Sequence, residues 1–343
     1  MDKRKKNILI TGGAGFIGHH IIYNLLKITD YNIVSLDRLD YSGSYNRINQ
    51  IINSNNSWKK RIKIVWHDLK AEINPLIKKK IGIPDIILHV AAASHVDRSI
   101  DDPMSFVLDN IVGTVNLLNY ARKIKNLSKF LYFSTDEVFG PAPKGFKYKE
   151  DDRYKSGNPY AASKAGGEEM CMAFHNTYKL PILITHTMNV FGERQHPEKF
   201  IPMCIKKIRD GETVTIHSDK SKKIAGSRHY IHAEDVSEAI LFLLNNKTIN
   251  EVDWGGAKCA KFNIVGAEEL TNLELAQIIA QSQNKNLNYE MVDFHTSRPG
   301  HDLRYSLSGE KMKSLGWRPK IKVQSRIKQV VEWSLDNPSW IEL

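Results

Sequence analysis

A short apolar run that breaks into closely spaced glycines and then into a helical pattern constrains this chain more than any other feature. The stretch NILITGGAGFIGHH places Gly12, Gly15 and Gly18 between a strand and a helix. The first glycine permits a tight turn. The second lets the backbone approach a pyrophosphate, and the third allows close helix–strand packing. The helix start adds N–H groups and the positive end of a helix dipole. Phe16 and Ile17, in the same run, count with the glycines as cofactor-binding candidates. A glycine run alone specifies only a turn, but here both flanks fit. The next strand ends in Asp37, 19 positions after Gly18. A carboxylate there can accept both ribose hydroxyls of NAD and repels a 2′-phosphate. Arg38, next in line, weighs slightly the other way.

The first half of the chain alternates apolar runs with helical patterns. The runs predict strands at Asn7–Thr11, Asn32–Asp37, Ile62–His67, Asp85–Ala91, Lys129–Ser134 and Ile182–Met188. Helices are expected near 16–27, 104–124 and 160–178. Continuously apolar strands separated by helices mean a parallel sheet covered on both faces. After residue 190 the pattern loosens into stretches such as GERQHPEKFIP and SDKSKKIAGS, with helices at 234–245 and 271–282 and a weak strand at Phe262–Val265. The expected fold class is α/β: a Rossmann-type doubly wound parallel sheet with a smaller mixed α/β substrate-binding lobe. Residues 1–189 form the NAD-binding domain and 190–343 the substrate lobe, with 224–250 expected to pack back onto the first domain.

The 343 residues carry 49 Lys and Arg against 38 Asp and Glu, a formal charge of +11. Such a balance favours anionic partners. The basic clusters, at residues 3–6, 78–80 and 220–223, are short and dispersed. That argues against nucleic acid among the anionic partners, which also include a membrane surface and a phosphorylated metabolite. Cys171, Cys204 and Cys259 form no CxxC and no metal-like spacing, so a reduced, cytoplasmic setting is expected, with no metal. No apolar run approaches the ~18 residues of a membrane span.

Three further stretches carry chemistry. WHDLK puts Asp68 and Leu69 at the end of the third strand, where an adenine edge would lie, although a loop cap fits Asp68 equally well. HVAAASH ends the fourth strand in small side chains: Ala91–Ala93 would let a dinucleotide pass close over the sheet, with Ala91 and Ala92 as cofactor-binding candidates, although ordinary core alanines fit as well. NPYAASKAG sets Tyr160 and Lys164 four apart, on one face of a helix that Asn158 and Pro159 would start. A lysine ammonium one turn away stabilises a phenolate. Tyr160 could then take a proton from an alcohol while hydride leaves the same carbon.

With these residues in place, the chain resembles the extended short-chain dehydrogenase/reductase superfamily, and within it the nucleoside-diphosphate-glucose 4,6-dehydratases. The resemblance spans nearly the whole chain: TGGAGFIG, LDRLDYSG, AASHVDRSI, STDEVFG, NPYAASKAG, NVFGERQHPEKFIP, RHYIHAEDVSEA and SRPGHDLRY. It implies NAD as cofactor, a nucleotide-sugar substrate and a homodimer formed through the helices at 104–124 and 160–178. It also implies roles for the adjacent acids in STDEVFG: Asp136 protonates the departing C6 hydroxyl and Glu137 removes the C5 proton. Thr135 hydrogen-bonds the C4 oxygen, and Tyr160, with Lys164, takes the C4 hydroxyl proton. Ser94, Asn189, Lys199, Arg228, Asn263, Arg298 and His301 match substrate-binding positions, and arginines fit phosphate through their planar fork. His95 and His196 read as structural at least as well as catalytic.

The chain departs from the family's usual residues at four places: Ala93 for Glu, Phe139 for Tyr, His186 for Arg and Asp40 for Thr. None removes a proposed catalytic group. The spacing does not separate thymine from uracil, which differ by one methyl, worth only ~1 kcal/mol in a pocket. Two other readings are an NAD-dependent nucleotide-sugar epimerase or decarboxylase, against which the acid pair argues, and a catalytically silent binding protein, against which intact Thr135, Tyr160 and Lys164 argue.

Overall fold

The computed structural model describes residues 4–246, 249, 259–293 and 303–342. Its contacts divide the chain into two compact units. The first comprises Met1–Thr135, Asn158–His186 and Ser237–Phe262; the second comprises Asp136–Gly157, Thr187–Val236 and Asn263–Leu343.

The first unit is built on β1 (Asn7–Thr11), β2 (Asn32–Asp37), β3 (Ile62–Trp66), β4 (Ile86–His89), β5 (Lys129–Thr135) and β6 (Ile182–Thr187). A seventh strand, Ala260–Ile264, completes a sheet in the order Ala260–Ile264, β6, β5, β4, β1, β2, β3. The pairings β1–β2, β2–β3, β1–β4 and β4–β5 are parallel, with Ile8 opposite both Ile33 and Ile86. The chain runs outward from β1 to β3, then crosses back to β4 on the other side of β1. That reversal opens a crevice at the carboxyl ends of β1 and β4, where doubly wound sheets bind ligands.

β1 and β2 match their expected bounds, and β5 runs one residue further, to Thr135. β4 is shorter than Asp85–Ala91. Asp85 instead accepts the Asn7 N–H (2.8 Å), and Ala91 N–H turns to the Thr11 hydroxyl (3.2 Å). Leu9, Leu36, Val65, Ile87 and Phe130 from the sheet pack with Leu117, Leu118 and Phe174 from the helices.

The first helix, Phe16–Ile28, lies where the glycine motif puts it. The Pro159–Tyr178 helix starts as its sequence dictates. Asn158 Oδ1 accepts the Ala161 N–H (2.8 Å), and Pro159 occupies the first turn, where no intrahelical donor is needed. The helix expected at 104–124 is interrupted. Pro103–Val107 and Gly113–Ala121 are α-helical, but Leu108–Val112 forms a π-turn. Such turns commonly mark functional positions.

The second unit has its own core. It joins Ile201, Ile205 and Ile208 of the Phe200–Asp210 helix, Leu275 and Ile279 of Asn272–Ser282, and Ile327 and Val331 of Val323–Asp336. Its strands are short pairs: Val214–Ser218 parallel with Tyr289–Asp293, Ser227–His229 antiparallel with Glu269–Thr271, and Val190–Phe191 parallel with Ile231–His232. Thr271 and Glu274 form a capping box at the start of Asn272–Ser282. The buried Arg326 donates to Glu234 (2.7 Å) and Asp235 (2.9 Å). Among the described residues, no helix is long and apolar enough to cross a membrane.

Candidate functional site

Gly12 adopts φ +70°, a region L-residues rarely enter. A Cβ there would lie 2.8 Å from the Ala91 backbone, and one at Gly18 would lie 2.1 Å from the Gly12 carbonyl oxygen. The loop after β1 is therefore held as a backbone-lined cradle against the Ala91 loop and the start of the Phe16–Ile28 helix. Thr11 Oγ1 joins His89 Nδ1 (2.7 Å), and His89 Nε2 joins Thr114 Oγ1 (3.0 Å). Burial lowers the His89 pKa to about 3, so the ring is neutral and serves as a hydrogen-bonded brace beneath the loop.

Asp37 closes β2 beside this cradle. Its Oδ2 accepts the Ala14 N–H (3.0 Å) and its Oδ1 the Leu39 N–H (2.8 Å). Burial raises its pKa, against the pull of those two N–H groups. Each oxygen retains acceptor capacity for a hydroxyl. Phe16 and Ile17 are half-buried in the first helical turn, and Ala91 and Ala92 are half-buried after β4. Asp68 Oδ1 caps the Lys70 N–H (2.9 Å), and the Leu69 carbonyl accepts from Asn116 Nδ2 (2.8 Å). The backbone-lined glycine turn, the helix N-terminus and the terminal carboxylate together fit a dinucleotide.

Tyr160 and Lys164 are both buried on the Pro159–Tyr178 helix. The Tyr160 ring packs with Val96 and Phe106, and its backbone N–H donates to Ser99 Oγ (3.1 Å). Lys164 Nζ donates to the Phe133 carbonyl (2.7 Å) and sits 4.2 Å from the Tyr132 ring centroid. Burial lowers its pKa to about 8, with the Glu168 carboxylate acting the other way. Glu168, one turn on, accepts from Ser134 Oγ and meets His186 Nε2 at 3.0 Å. The helix approaches β5 closely because it carries Gly167, while Gly166 makes room for Ile111 of the π-turn. A Cβ at Gly167 would lie 2.2 Å from the Tyr132 hydroxyl and 2.8 Å from the Asn110 carbonyl.

Thr135 ends β5 and the first unit. Asp136 and Glu137 begin the second, in a 3-10 turn spanning Asp136–Phe139. Gly140 ends that turn at φ +75°, with room for no Cβ, which would lie 2.3 Å from the Lys155 carbonyl oxygen. Val138 and Phe139 anchor the turn: both are fully buried, and Phe139 stacks on Tyr148 at 5.5 Å. The two acids differ in surroundings. Asp136 is 5% exposed, whereas Glu137 is half-buried.

The substrate candidates belong to both units. Ser94, in the first unit, is exposed. Asn189, in the second, is also exposed, and Lys199 is half-buried at the start of Phe200–Asp210. Arg228 donates to the Ser227 and Leu303 carbonyls (both 2.7 Å) and lies over the Tyr305 ring. Asn263 is fully buried, with its amide donating to the Tyr148 and Ser308 carbonyls (3.2 and 3.1 Å), so both of its N–H groups serve the fold. Arg298 and His301 lie outside the described residues.

Two residues of the π-turn escape sequence reasoning. Asn110 is buried and ties the Ala93 backbone (2.9 and 3.0 Å) to Ser163 Oγ (2.8 Å). Asp109 grips Arg38 across 71 positions. No local spacing signals either, because both depend on a helix irregularity that the sequence pattern does not show.

Residues 9–330 match the family described as GDP-mannose 4,6 dehydratase. The chain is 36% identical to the low-salt glycan biosynthesis protein Agl12 of Haloferax volcanii, over 96% of this chain and 98% of that one. It is 35% identical to the dTDP-glucose 4,6-dehydratase of Streptomyces niveus, covering 98% and 94% of the two chains. Its structure is similar to DesIV, a dTDP-glucose 4,6-dehydratase of Streptomyces venezuelae solved with NAD and TYD bound, with a TM-score of 0.85, 33% identity and coverage of 98% and 99%. Likeness of this extent takes in both units and every described motif, and the chain belongs to the nucleotide-sugar 4,6-dehydratases of the extended short-chain dehydrogenase/reductase superfamily.

Proposed function

We propose that the protein converts a nucleoside-diphosphate glucose, dTDP-glucose or UDP-glucose, into its 4-keto-6-deoxy derivative. The observation that carries this reading is the pair Asp136–Glu137, set by a glycine-terminated turn directly after Thr135. An epimerase needs a base and a hydride acceptor. Only removal of water across C5–C6 also asks for a second base and an acid. Two neighbouring carboxylates in unlike surroundings divide that work. The reading is further supported by relatives of this name across nearly the whole chain.

Bound NAD would supply the hydride chemistry of the reaction, taking up hydride from C4 and giving it back at C6. Gly12, Gly15 and Gly18, with the helix start at Phe16 and Ile17, would hold its pyrophosphate. Asp37 would hold a ribose, Asp68 and Leu69 the adenine edge, and Ala91 and Ala92 the path over the sheet. Tyr160 takes the C4 hydroxyl proton, and the buried Lys164 cation favours its phenolate. Thr135 hydrogen-bonds the C4 oxygen. Glu137 removes the C5 proton, Asp136 protonates the C6 hydroxyl as it leaves as water, and Glu137 returns its proton to C5 as hydride adds at C6. Ser94, Asn189, Lys199, Arg228, Arg298 and His301 are the proposed substrate contacts. Asn263, bonded to the Tyr148 and Ser308 carbonyls, has a structural part in the second unit.

The protein works as a homodimer through Pro103–Ala121 and Pro159–Tyr178, where Met104, Val107, Leu108 and Tyr178 stand exposed. Its setting is cytoplasmic, where Cys171, Cys204 and Cys259 remain free thiols. The test is incubation of purified protein with dTDP-glucose and UDP-glucose, without added reductant, followed by mass spectrometry. Loss of one water from the sugar is expected. An unchanged mass with both substrates, or a C4 epimer, overturns the reading.

A further inference from the structure

An arginine directly after the ribose-binding position is the residue type that accommodates the 2′-phosphate of NADP. Arg38 occupies that place, yet each of its three guanidinium nitrogens already donates to a carboxylate. Nη1 and Nη2 donate to Asp109 Oδ1 and Oδ2 (2.5 and 2.8 Å), a bidentate fork. Nε donates to Asp40 Oδ2 (2.7 Å), and Asp68 Oδ2 lies 3.7 Å from Nη1. The loop that presents these groups is fixed. Asp40 Oδ1 accepts from the backbone N–H and the hydroxyl of Ser42, Leu39 sits at φ +54°, and Trp66 Nε1 donates to the Arg38 carbonyl (2.8 Å).

The charges here are Asp37, Asp40, Asp68 and Asp109 against Arg38 and Lys70, the latter 3.4 Å from Asp68. A chain with a formal charge of +11 thus places an excess of acid at this one corner of the sheet. A phosphate of about −2 charge would meet repulsion there, not a donor fork.

Resting on the NAD reading above, we infer that Asp109, through its fork on Arg38, is a specificity-determining residue that excludes NADP. The π-turn at Leu108–Val112 is what carries Asp109 to Arg38. Asp109 acts through Arg38 and not by contact with the cofactor; it withdraws the guanidinium that directly follows the ribose-binding carboxylate.

The test is calorimetric titration of full-length protein, freed of nucleotide, with NAD and with NADP. Wild type should prefer NAD. Asp109→Asn keeps the shape and removes the charge, and should narrow that preference at least about tenfold through tighter NADP binding, with NAD affinity little changed. Adding Arg38→Met to this variant should restore the wild-type preference. Arg38→Met alone should leave NADP affinity unchanged, and this single variant decides the matter if Asp109→Asn does not fold by circular dichroism. The inference is overturned by an unaltered preference in folded Asp109→Asn, by a gain that survives Arg38→Met, or by weaker NADP binding in Arg38→Met alone. A wild type that holds neither dinucleotide instead overturns the cofactor reading, and this inference with it.

Discussion

Glu168 Oε2 lies 3.0 Å from His186 Nε2, and both side chains are sealed from solvent. Ser134 Oγ takes the other carboxylate oxygen. The pair therefore clamps the end of β5 and β6 to the Pro159–Tyr178 helix one turn from Lys164. It also places a carboxylate where it opposes the loss of charge that burial imposes on that lysine.

This sets the expected pH dependence. The Lys164 pKa is lowered to about 8, so its cation is present below that pH and is lost as pH rises through it. The value of kcat/KM should fall on an alkaline limb near pH 8. Glu168→Gln removes a charge that favours the cation, so the limb should move to lower pH. An unmoved limb in a folded variant would show that Glu168 serves packing alone.

Asp136→Asn and Glu137→Gln should each lower kcat about 10²–10⁴-fold, the usual weight of one acid–base group. The C4 oxidation does not use either acid. Mixing such a variant with substrate should therefore leave reduced nicotinamide standing, visible by its near-ultraviolet absorbance. Thr135→Ala and Tyr160→Phe should show little of that absorbance. Equal turnover by Asp136→Asn and wild type would remove Asp136 from the mechanism.

At position 18 the constraint is backbone against backbone. A Cβ would lie 2.1 Å from the Gly12 carbonyl oxygen, and neither group can rotate away. Gly18→Ala should open the loop and weaken NAD binding at least about tenfold, read by titration, with core destabilisation of about 1–3 kcal/mol. Wild-type affinity would show that the cradle tolerates a wider turn.

In the second unit, Arg326 is buried against Glu234 and Asp235. Removing one partner of such a group leaves uncompensated buried charge. Arg326→Ala should cost about 3–5 kcal/mol in urea unfolding. A loss below 1 kcal/mol would mean that water reaches Asp235 in the variant.

The elements that position the cofactor were legible because each rests on local chemistry. The apolar runs of β1 and β2, the glycines at 12, 15 and 18, and Asn158–Pro159 before the long helix all act within a few residues. Phe200–Asp210 was hidden in a stretch that reads as loop. Lys199 gives it no side-chain cap, and Pro202 falls in its first turn, where proline is tolerated but is usually taken as a breaker. The Val323–Asp336 helix likewise has no side-chain cap to announce it. The second unit's strands are two to five residues long and draw their pairing from distant segments, as when Val214 meets Tyr289. Among the candidate site residues, Tyr160 and Lys164 stand on the helix that their spacing predicts, and the acid pair directly follows β5. Asp109 and Asn110 were not legible, since a π-turn turns them toward partners that sequence separation conceals.

The central claim is an internal hydride transfer with loss of water, and an isotope at C4 tests it directly. The protein should be incubated with dTDP-glucose or UDP-glucose deuterated at C4, without added reductant, and the product read by mass spectrometry and NMR. A sugar nucleotide lighter by one water that carries the deuterium at C6 is expected. Deuterium retained at C4, or a product that keeps its C6 oxygen, would contradict it.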